Sequence, residues 1–340
     1  MRHALLAGIG LLALGACSNA SDEPAKTTPA EASAADAEAV QTTYTVMVSG
    51  TKIGDMVVDE AGNTVTVDYE YRNNGRGPTM AEEITLGEDG VPVAWTVKGN
   101  TTFGNAVDES FSLEDGAASW TDSTGSGETD VSEAAMYIAQ SGTPYALAVY
   151  AGALLADDDK SMPALPAGTL SLEELDSVSL SDGEGTLDAT VYGLIGPELD
   201  PTYFLMDASG EDYLGIITPE FLIIREGLEG NDEMLRERAV QYSTERFEEL
   251  QAEYARNFDG PVRITNVRIY EPDTMALSEP ASVLVEGDEI AAIEAADASG
   301  EGEYVIDGKG GTLIAGLSDM HGHMGQNSAL LNVLAGVAFV

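Results

Sequence analysis

Residues 64–71 read TVTVDYEY, a stretch in which an apolar or aromatic side chain alternates with a polar one. This period of two matches the pleat of a β-strand, whose successive side chains point to opposite faces of a sheet. Similar runs occur at 44–48 and 91–95, and the turn-forming segments NNGRGP (73–78) and EDG (88–90) lie between the runs. The pattern predicts an antiparallel meander with one buried face.

The same alternation continues, with interruptions, through residues 41–230, which we expect to form a β-rich N-terminal domain, a curved sheet wrapped on a helix. Apolar residues at helical spacing interrupt it at 133–139 and 146–156, and strand-like runs resume at 185–191 and 215–225. This region contains no histidine and no cysteine, and its carboxylates are spread along predicted exposed faces. We interpret those carboxylates as solvating groups rather than catalytic ones.

Composition limits the classes of partner. The chain has 340 residues, 44% of them hydrophobic, which is enough for two or three domains with cores of their own. Its 59 acidic residues against 15 basic ones give a net charge of -44, which repels nucleic acid phosphates. Nucleic acid is therefore excluded as a partner, and the acidic balance is typical of proteins in salty surroundings outside the cytoplasm.

The N-terminus has the three-part layout of a secretory signal. Arg2 precedes an apolar run at 4–13, and small residues lead to Cys17 in the sequence Leu14-Gly15-Ala16-Cys17. Residues 1–17 resemble a bacterial lipoprotein signal, which implies acylation of Cys17 and anchoring to the outer membrane, facing the periplasm or the cell surface. The alternative is an ordinary signal peptide with an incidental cysteine. Residues 18–40, rich in Ala, Ser, Thr, Pro, Asp and Glu, are expected to be a disordered tether.

The period changes in residues 231–257, where apolar residues recur at three- to five-residue steps, as in a long amphipathic helix. Asn231 is its expected N-cap, and Gly260-Pro261 lies beyond its end. Strand-like runs follow in residues 258–316. Among them, SVLVEGDEIAAIEA (282–295) predicts a hairpin that turns at Gly287 and Asp288.

Two of the three histidines of the chain lie one residue apart in TLIAGLSDMHGHMG (312–325). On a strand, His321 and His323 would point to the same face and could converge on one Zn²⁺ ion. Asp319, two residues earlier, could orient such a ligand by accepting a hydrogen bond, or could equally be a helix cap or turn residue. The alternative for the pair is two surface histidines that bind nothing.

Residues 261–340 resemble the opening of the amidohydrolase superfamily, which implies a small composite β-sandwich (258–316) followed by the first strand and helix of a (β/α)8 barrel (317–340, incomplete). Together with the N-terminal domain and linking helix, the expected fold is mainly β with some α. Ala315 and Ala338 depart from the family pattern, which usually has Pro and Thr there. The matching residues are Val285, Gly287, Ile290, Ile293, Ile306, Asp307, Gly310, Gly316, Leu317, Asp319, His321 and His323.

This resemblance implies a metal-dependent hydrolase of C–N bonds in amides, cyclic amides or dipeptides, with one or two divalent ions, Zn²⁺ first among them, held partly by His321 and His323. Residues 317–340 are too few for a barrel, so the chain is expected to be the front part of a longer protein and inactive alone. The alternative is a lipid-anchored, non-catalytic binding protein that uses its N-terminal β domain. The substrate and the oligomeric state stay open.

Overall fold

The structure is a computed structural model that describes residues 39–198, 200–322 and 331–339. The described residues from 39 onward belong to one compact unit, Glu38–Val340. The predicted signal with Cys17, the tether up to residue 38, and His323 lie outside the described residues.

One 15-stranded sheet contains most of the chain from residue 40 to residue 225. Its order is β8-β7-β6-β5-β4-β3-β2-β1-β15-β14-β13-β12-β11-β10-β9, and only the β9 and β10 neighbours are parallel. The strands are β1 (Val40–Val48), β2 (Thr51–Ala61), β3 (Thr64–Tyr71), β4 (Thr79–Leu86), β5 (Pro92–Asn100), β6 (Ala106–Glu114), β7 (Ala117–Asp122), β8 (Gly125–Asp130), β9 (Met136–Tyr137), β10 (Ser161–Leu165), β11 (Thr169–Ser181), β12 (Thr186–Ile195), β13 (Thr202–Asp207), β14 (Tyr213–Ile217) and β15 (Phe221–Arg225).

The sheet consists of two antiparallel meanders joined in the middle. The first meander is β1–β8 and the second is β10–β15. They meet where β1 pairs with β15, with Tyr44 opposite Arg225, and we call this pairing the seam. The first and last strands of the domain are therefore neighbours, and each meander extends outward from the seam.

Burial differs between the two meanders. In β3 only alternate residues, Val65, Val67 and Tyr69, are buried, so this strand has one face in the core and one in solvent. In β13 all residues from Tyr203 to Met206 are buried, so both faces are covered. Helix α1 (Ala146–Leu155) packs on one face of the sheet, and helix α2 (Asp232–Tyr254) packs on the other face of the second meander.

Helix α1 is buried on nearly every side, as expected of a helix that is apolar all round. Strands far apart in the sheet contact it or the segment before it. Tyr150 of α1 lies 6.0 Å from the Trp95 ring of β5, and Tyr137 of β9 stacks on Phe111 of β6 at 4.3 Å between ring centroids. Sheets of more than about ten strands usually curl, and this one curls around α1 until β9, at one end of the order, contacts β6, near the other end.

Helix α2 follows a short 3-10 turn, Glu229–Asn231. Its apolar stripe of Leu235, Ala239 and Tyr242 packs on Leu205 and Leu222 of the sheet. No helix in the described ranges is long and apolar enough to cross a bilayer.

A smaller, six-stranded sheet follows α2. Its central strand β16 pairs with β18 on one side and with β20 and β21, both parallel to it, on the other. Arg263 of β16 is buried and holds the sheet together, since its guanidinium bonds both Glu303 oxygens at 2.6 and 2.7 Å and Glu294 at 2.8 Å. The strands are β16 (Val262–Glu271), β17 (Ala276–Leu277), β18 (Ala281–Glu286), β19 (Glu289–Ala295), β20 (Tyr304–Asp307) and β21 (Thr312–Leu313).

The structure contradicts the predicted fold class and the amidohydrolase resemblance. The described residues contain one large antiparallel sheet and no (β/α)8 barrel. Where a barrel was expected to begin, β22 (Leu317–Ser318) and β23 (Val337–Phe339) form only a two-stranded sheet. The expected β-sandwich is also wrong, because β16–β21 form one sheet on which Ile290, Ile293 and Ile306 remain exposed.

The matching residues misled because they describe local structure. The VLVEGDEIAAI pattern specifies two apolar strands and a tight glycine turn, and β18 and β19 do form that hairpin, with Gly287 at φ 63°. Such a hairpin is compatible with many sheets. The family assignment needed the long-range architecture, and that architecture is different here.

Candidate functional site

The predicted metal site is not assembled by the described residues. His321 is exposed in a turn after β22, and its backbone N–H donates to Asp319 Oδ1 at 3.0 Å. Asp319 thus serves as a turn residue, one of the roles left open by the sequence. Among the described residues, no group of three or more histidine, cysteine, aspartate or glutamate side chains is placed to hold a metal ion. These residues do not fit a zinc site, and His323 lies outside them.

Two glutamates of the first meander are buried, although its carboxylates were expected to be solvated. Glu82 of β4 is 4% exposed and Glu109 of β6 is 2% exposed. Both face the side of the sheet that holds α1, because each lies opposite Val97 of β5, the strand between them. They were detectable in the sequence, since each occupies an inward position of its alternating strand, between Met80 and Ile84 or between Val107 and Phe111.

These two carboxylates attach the segment before α1 to the sheet. Glu109 accepts hydrogen bonds from the Tyr137 hydroxyl and from the backbone N–H groups of Gln140 and Ser141, each at 2.8 Å. Glu82 accepts from the backbone N–H and the hydroxyl of Thr143. Burial raises the pKa of Glu82, and the hydrogen bonds from Thr143 lower it by a smaller amount, so that the resulting pKa is about 7. Because their oxygens are occupied by the protein itself, we interpret both as anchors for the segment that positions α1.

A cleft of about 470 Å³ lies beside that helix, and we call it the α1 cleft. One wall is the helix face of Tyr145, Ala148, Val149 and Gly152, which share a side because they are three or four residues apart. The facing wall comes from strands β1 to β4 and β13 to β15, so both meanders contribute. Ala148 and Gly152 leave space on the helix side of the cleft, because their side chains are small or absent. A Cβ added to Gly152 would meet no atom within 4 Å.

Three tyrosines from separate elements meet at the inner end of the α1 cleft. The ring of Tyr145 lies 6.3 Å from that of Tyr44 in β1 and 5.9 Å from that of Tyr213 in β14, in edge-to-face contacts. The Tyr44 and Tyr213 rings are 5.5 Å apart. Because these rings join the seam to the helix, the aromatic cluster fixes the position of the cleft within the fold.

Charged residues surround the outer part of the α1 cleft. Glu60 accepts a hydrogen bond from the Tyr145 hydroxyl at 2.6 Å, and Arg225 lies 3.2 Å from Asp212. Glu211 and Asp212 lie on a turn whose backbone N–H groups both donate to Asp207 Oδ1 at 2.9 Å. The backbone that carries the Glu211 and Asp212 carboxylates is therefore held in place by hydrogen bonds. No periodicity in the sequence indicates this cleft, since its residues are brought together only by the seam.

Comparisons with known proteins give a distant likeness in structure and none in sequence. No protein-family model matches the chain, and no curated protein is similar to it. A solved structure, a β-barrel-like protein of the domain of unknown function DUF1849 from Brucella abortus, is similar over 54% of this chain and 94% of its own at 10% sequence identity. The TM-score of that comparison is 0.33.

Proposed function

We propose that this protein is a ligand-binding protein whose site is the α1 cleft. The observation that carries the proposal is the convergence of a small-residue helix face, three tyrosine rings and charged groups on a cavity of about 470 Å³. Small-molecule sites are typically cavities of roughly 300–1,000 Å³ with apolar and aromatic walls and a few polar groups. The buried glutamates support the proposal, because they hold α1 against the sheet and so keep the cleft preformed.

The cleft can be tested with N-phenyl-1-naphthylamine, a neutral aromatic probe whose fluorescence rises in apolar surroundings. We expect the protein to bind it, Gly152→Ala to bind it equally, and Gly152→Trp to lower its affinity at least tenfold, or about 1.4 kcal/mol. Gly152 is exposed with free space beside it, so the tryptophan should fill the cleft without disturbing the core.

A second blocking variant, Ala148→Phe on the same wall, guards against an unexpected folding defect in Gly152→Trp. Thermal unfolding of each variant shows whether it is folded. Failure of the probe to bind, or equal binding by folded blocking variants, would contradict the proposed site.

The lipid anchor at Cys17 is a separate part of the proposal and rests on the sequence of residues 1–17. We expect the protein made in a bacterial host to partition into the detergent phase of Triton X-114 and Cys17→Ser to partition into the aqueous phase, because the acyl chains would be lost. Detergent-phase partitioning of Cys17→Ser would rule out this anchor.

Zinc-dependent hydrolysis of C–N bonds stays a prediction from the sequence, without the support of the family resemblance. The described residues add none, because they contain no group of three or more ligating side chains placed to hold a metal ion. A zinc-supplemented amidase assay with dipeptides tests it. Turnover that His321→Ala abolishes would favour hydrolysis over simple binding.

A further inference from the structure

The three tyrosine hydroxyls of the α1 cleft already donate hydrogen bonds within the protein. The hydroxyl of Tyr44 donates to the Tyr213 carbonyl at 3.1 Å, that of Tyr145 to Glu60 at 2.6 Å, and that of Tyr213 to the Pro144 carbonyl at 3.3 Å. Burial raises the pKa of all three hydroxyls, so they stay neutral phenols at physiological pH. At these three residues a ligand therefore meets aromatic rings rather than free hydroxyl donors.

The charged groups of the cleft favour a cation. Glu60, Glu211 and Asp212 line it against a single guanidinium, that of Arg225. Arg225 is paired with Asp212 at 3.2 Å, so an anionic ligand would have to compete with that carboxylate. The chain as a whole carries a net charge of -44, which raises the local concentration of cations and opposes the approach of anions.

We infer that the α1 cleft selects organic cations, namely amines or quaternary ammonium groups carried on a small apolar body. In this arrangement the cationic group lies near Glu60 and Glu211, and the apolar body lies against Ala148 and Gly152. The tyrosine rings at the inner end of the cleft add aromatic surface against which the apolar body can also pack. This inference rests on the proposed function, because it names the ligand class of that same cleft.

The test compares hexylammonium, hexyltrimethylammonium, hexanoate and hexanol, which share one alkyl chain and differ in charge. Isothermal titration calorimetry should show the two cations binding at least tenfold more tightly than hexanoate and hexanol, and Gly152→Trp should abolish their binding. Glu60→Gln should weaken cation binding roughly three- to fivefold, because it removes a charge at the cleft while its amide oxygen still accepts the Tyr145 hydroxyl.

The matched control is Asp59→Asn, which removes the same charge from the adjacent residue on the opposite face of β2, outside the cleft. It should leave cation affinity within about twofold of the parent, because the Asp59 side chain lies on the other face of the sheet, where it accepts a hydrogen bond from the Gln41 amide at 2.9 Å. An equal loss in Asp59→Asn and Glu60→Gln would show that only the overall charge acts, and would overturn the inference.

The outcomes separate this inference from the proposed function. If the naphthylamine probe binds and Gly152→Trp blocks it, but hexanoate or hexanol binds as tightly as the cations, the cleft is a binding site and the cation selectivity is wrong. If neither the naphthylamine nor any hexyl probe binds, both the site and its selectivity are wrong.

Discussion

Single residues decide how the segment before α1 is held. Glu82 and Glu109 replace apolar residues at inward positions of β4 and β6, and both are satisfied by donors from residues 137–143. Burying a carboxylate costs free energy unless its oxygens are hydrogen-bonded. The two residues differ in their hydrogen-bond donors. Glu82 accepts from one backbone N–H and one hydroxyl, whereas Glu109 accepts from two backbone N–H groups and one hydroxyl. Replacing each by glutamine should therefore change the stability in different ways.

We predict that Glu82→Gln removes a pH-dependent part of the stability. The folded state raises the Glu82 pKa from 4.5 to about 7, so it keeps a proton that the unfolded chain releases. This stabilisation is present below pH 4.5 and is lost as the pH rises to about 7, amounting to about 3 kcal/mol at about 1.4 kcal/mol per pKa unit. Urea unfolding at several pH values should therefore show the parent losing about that much more stability with rising pH than Glu82→Gln.

Glu109→Gln is the matched comparison. In either orientation its amide NH2 group would face a backbone N–H, that of Gln140 or that of Ser141, and leave that donor unsatisfied. We expect a loss of about 1–3 kcal/mol from this unsatisfied donor. In Glu82→Gln, by contrast, the amide oxygen can accept from the Thr143 N–H while its NH2 group donates to the hydroxyl. Parallel pH profiles of the parent and Glu82→Gln would contradict the proposed origin of the effect.

At the scale of elements, local patterns predicted the helices and hairpins that local interactions favour. The helix expected at 231–257 is α2, Asp232–Tyr254, and the apolar run at 146–156 is α1, Ala146–Leu155. The hairpin expected within 282–295 is β18 and β19. In each of these, residues close in the chain contact one another, so their spacing carries the information.

The helix-like spacing at 133–139 was misleading, because this segment contains the short strand β9, Met136–Tyr137. Its structure depends on distant residues: it pairs in parallel with Ala164 and Leu165, and Tyr137 bonds Glu109. The α1 cleft escaped prediction for the same reason, since the seam brings its residues together across most of the domain. Propensity within a short window does not report such pairings.

We predict that the packing of α2 on the second meander is a major part of its stability. Leu235 is 0% exposed on the packed stripe, and truncating a buried leucine to alanine costs about 2–5 kcal/mol. Val240 on the same helix is 48% exposed, so Val240→Ala should change stability by less than about 0.5 kcal/mol. Chemical denaturation of both variants measures the difference, and equal effects would show that α2 does not pack through this stripe.

At the scale of the whole molecule, the net charge of -44 means that carboxylates repel one another across the folded chain. Raising sodium chloride from about 20 mM to about 500 mM shortens the screening length to a few Å, so it should weaken this repulsion. We predict that the thermal unfolding temperature rises by several degrees over that range. Potassium chloride at equal ionic strength should act alike. An unfolding temperature that stays constant or falls would mean that favourable ion pairs such as Arg263 with Glu303 outweigh the repulsion.

The seam also determines the order in which the domain can be completed during synthesis. Thr45 and Glu229, 184 residues apart in the chain, are hydrogen-bonded across this region. The ribosome makes β1 long before β15. The hairpins of the first meander can therefore form while the edge of β1 that later pairs with β15 is still unpaired. Closing the sheet should then be the last and slowest event, and pulsed hydrogen exchange during refolding should find the amides of β15 protected after those of β2 and β3. The newborn chain thus carries a vulnerable strand edge until nearly the whole domain has been translated.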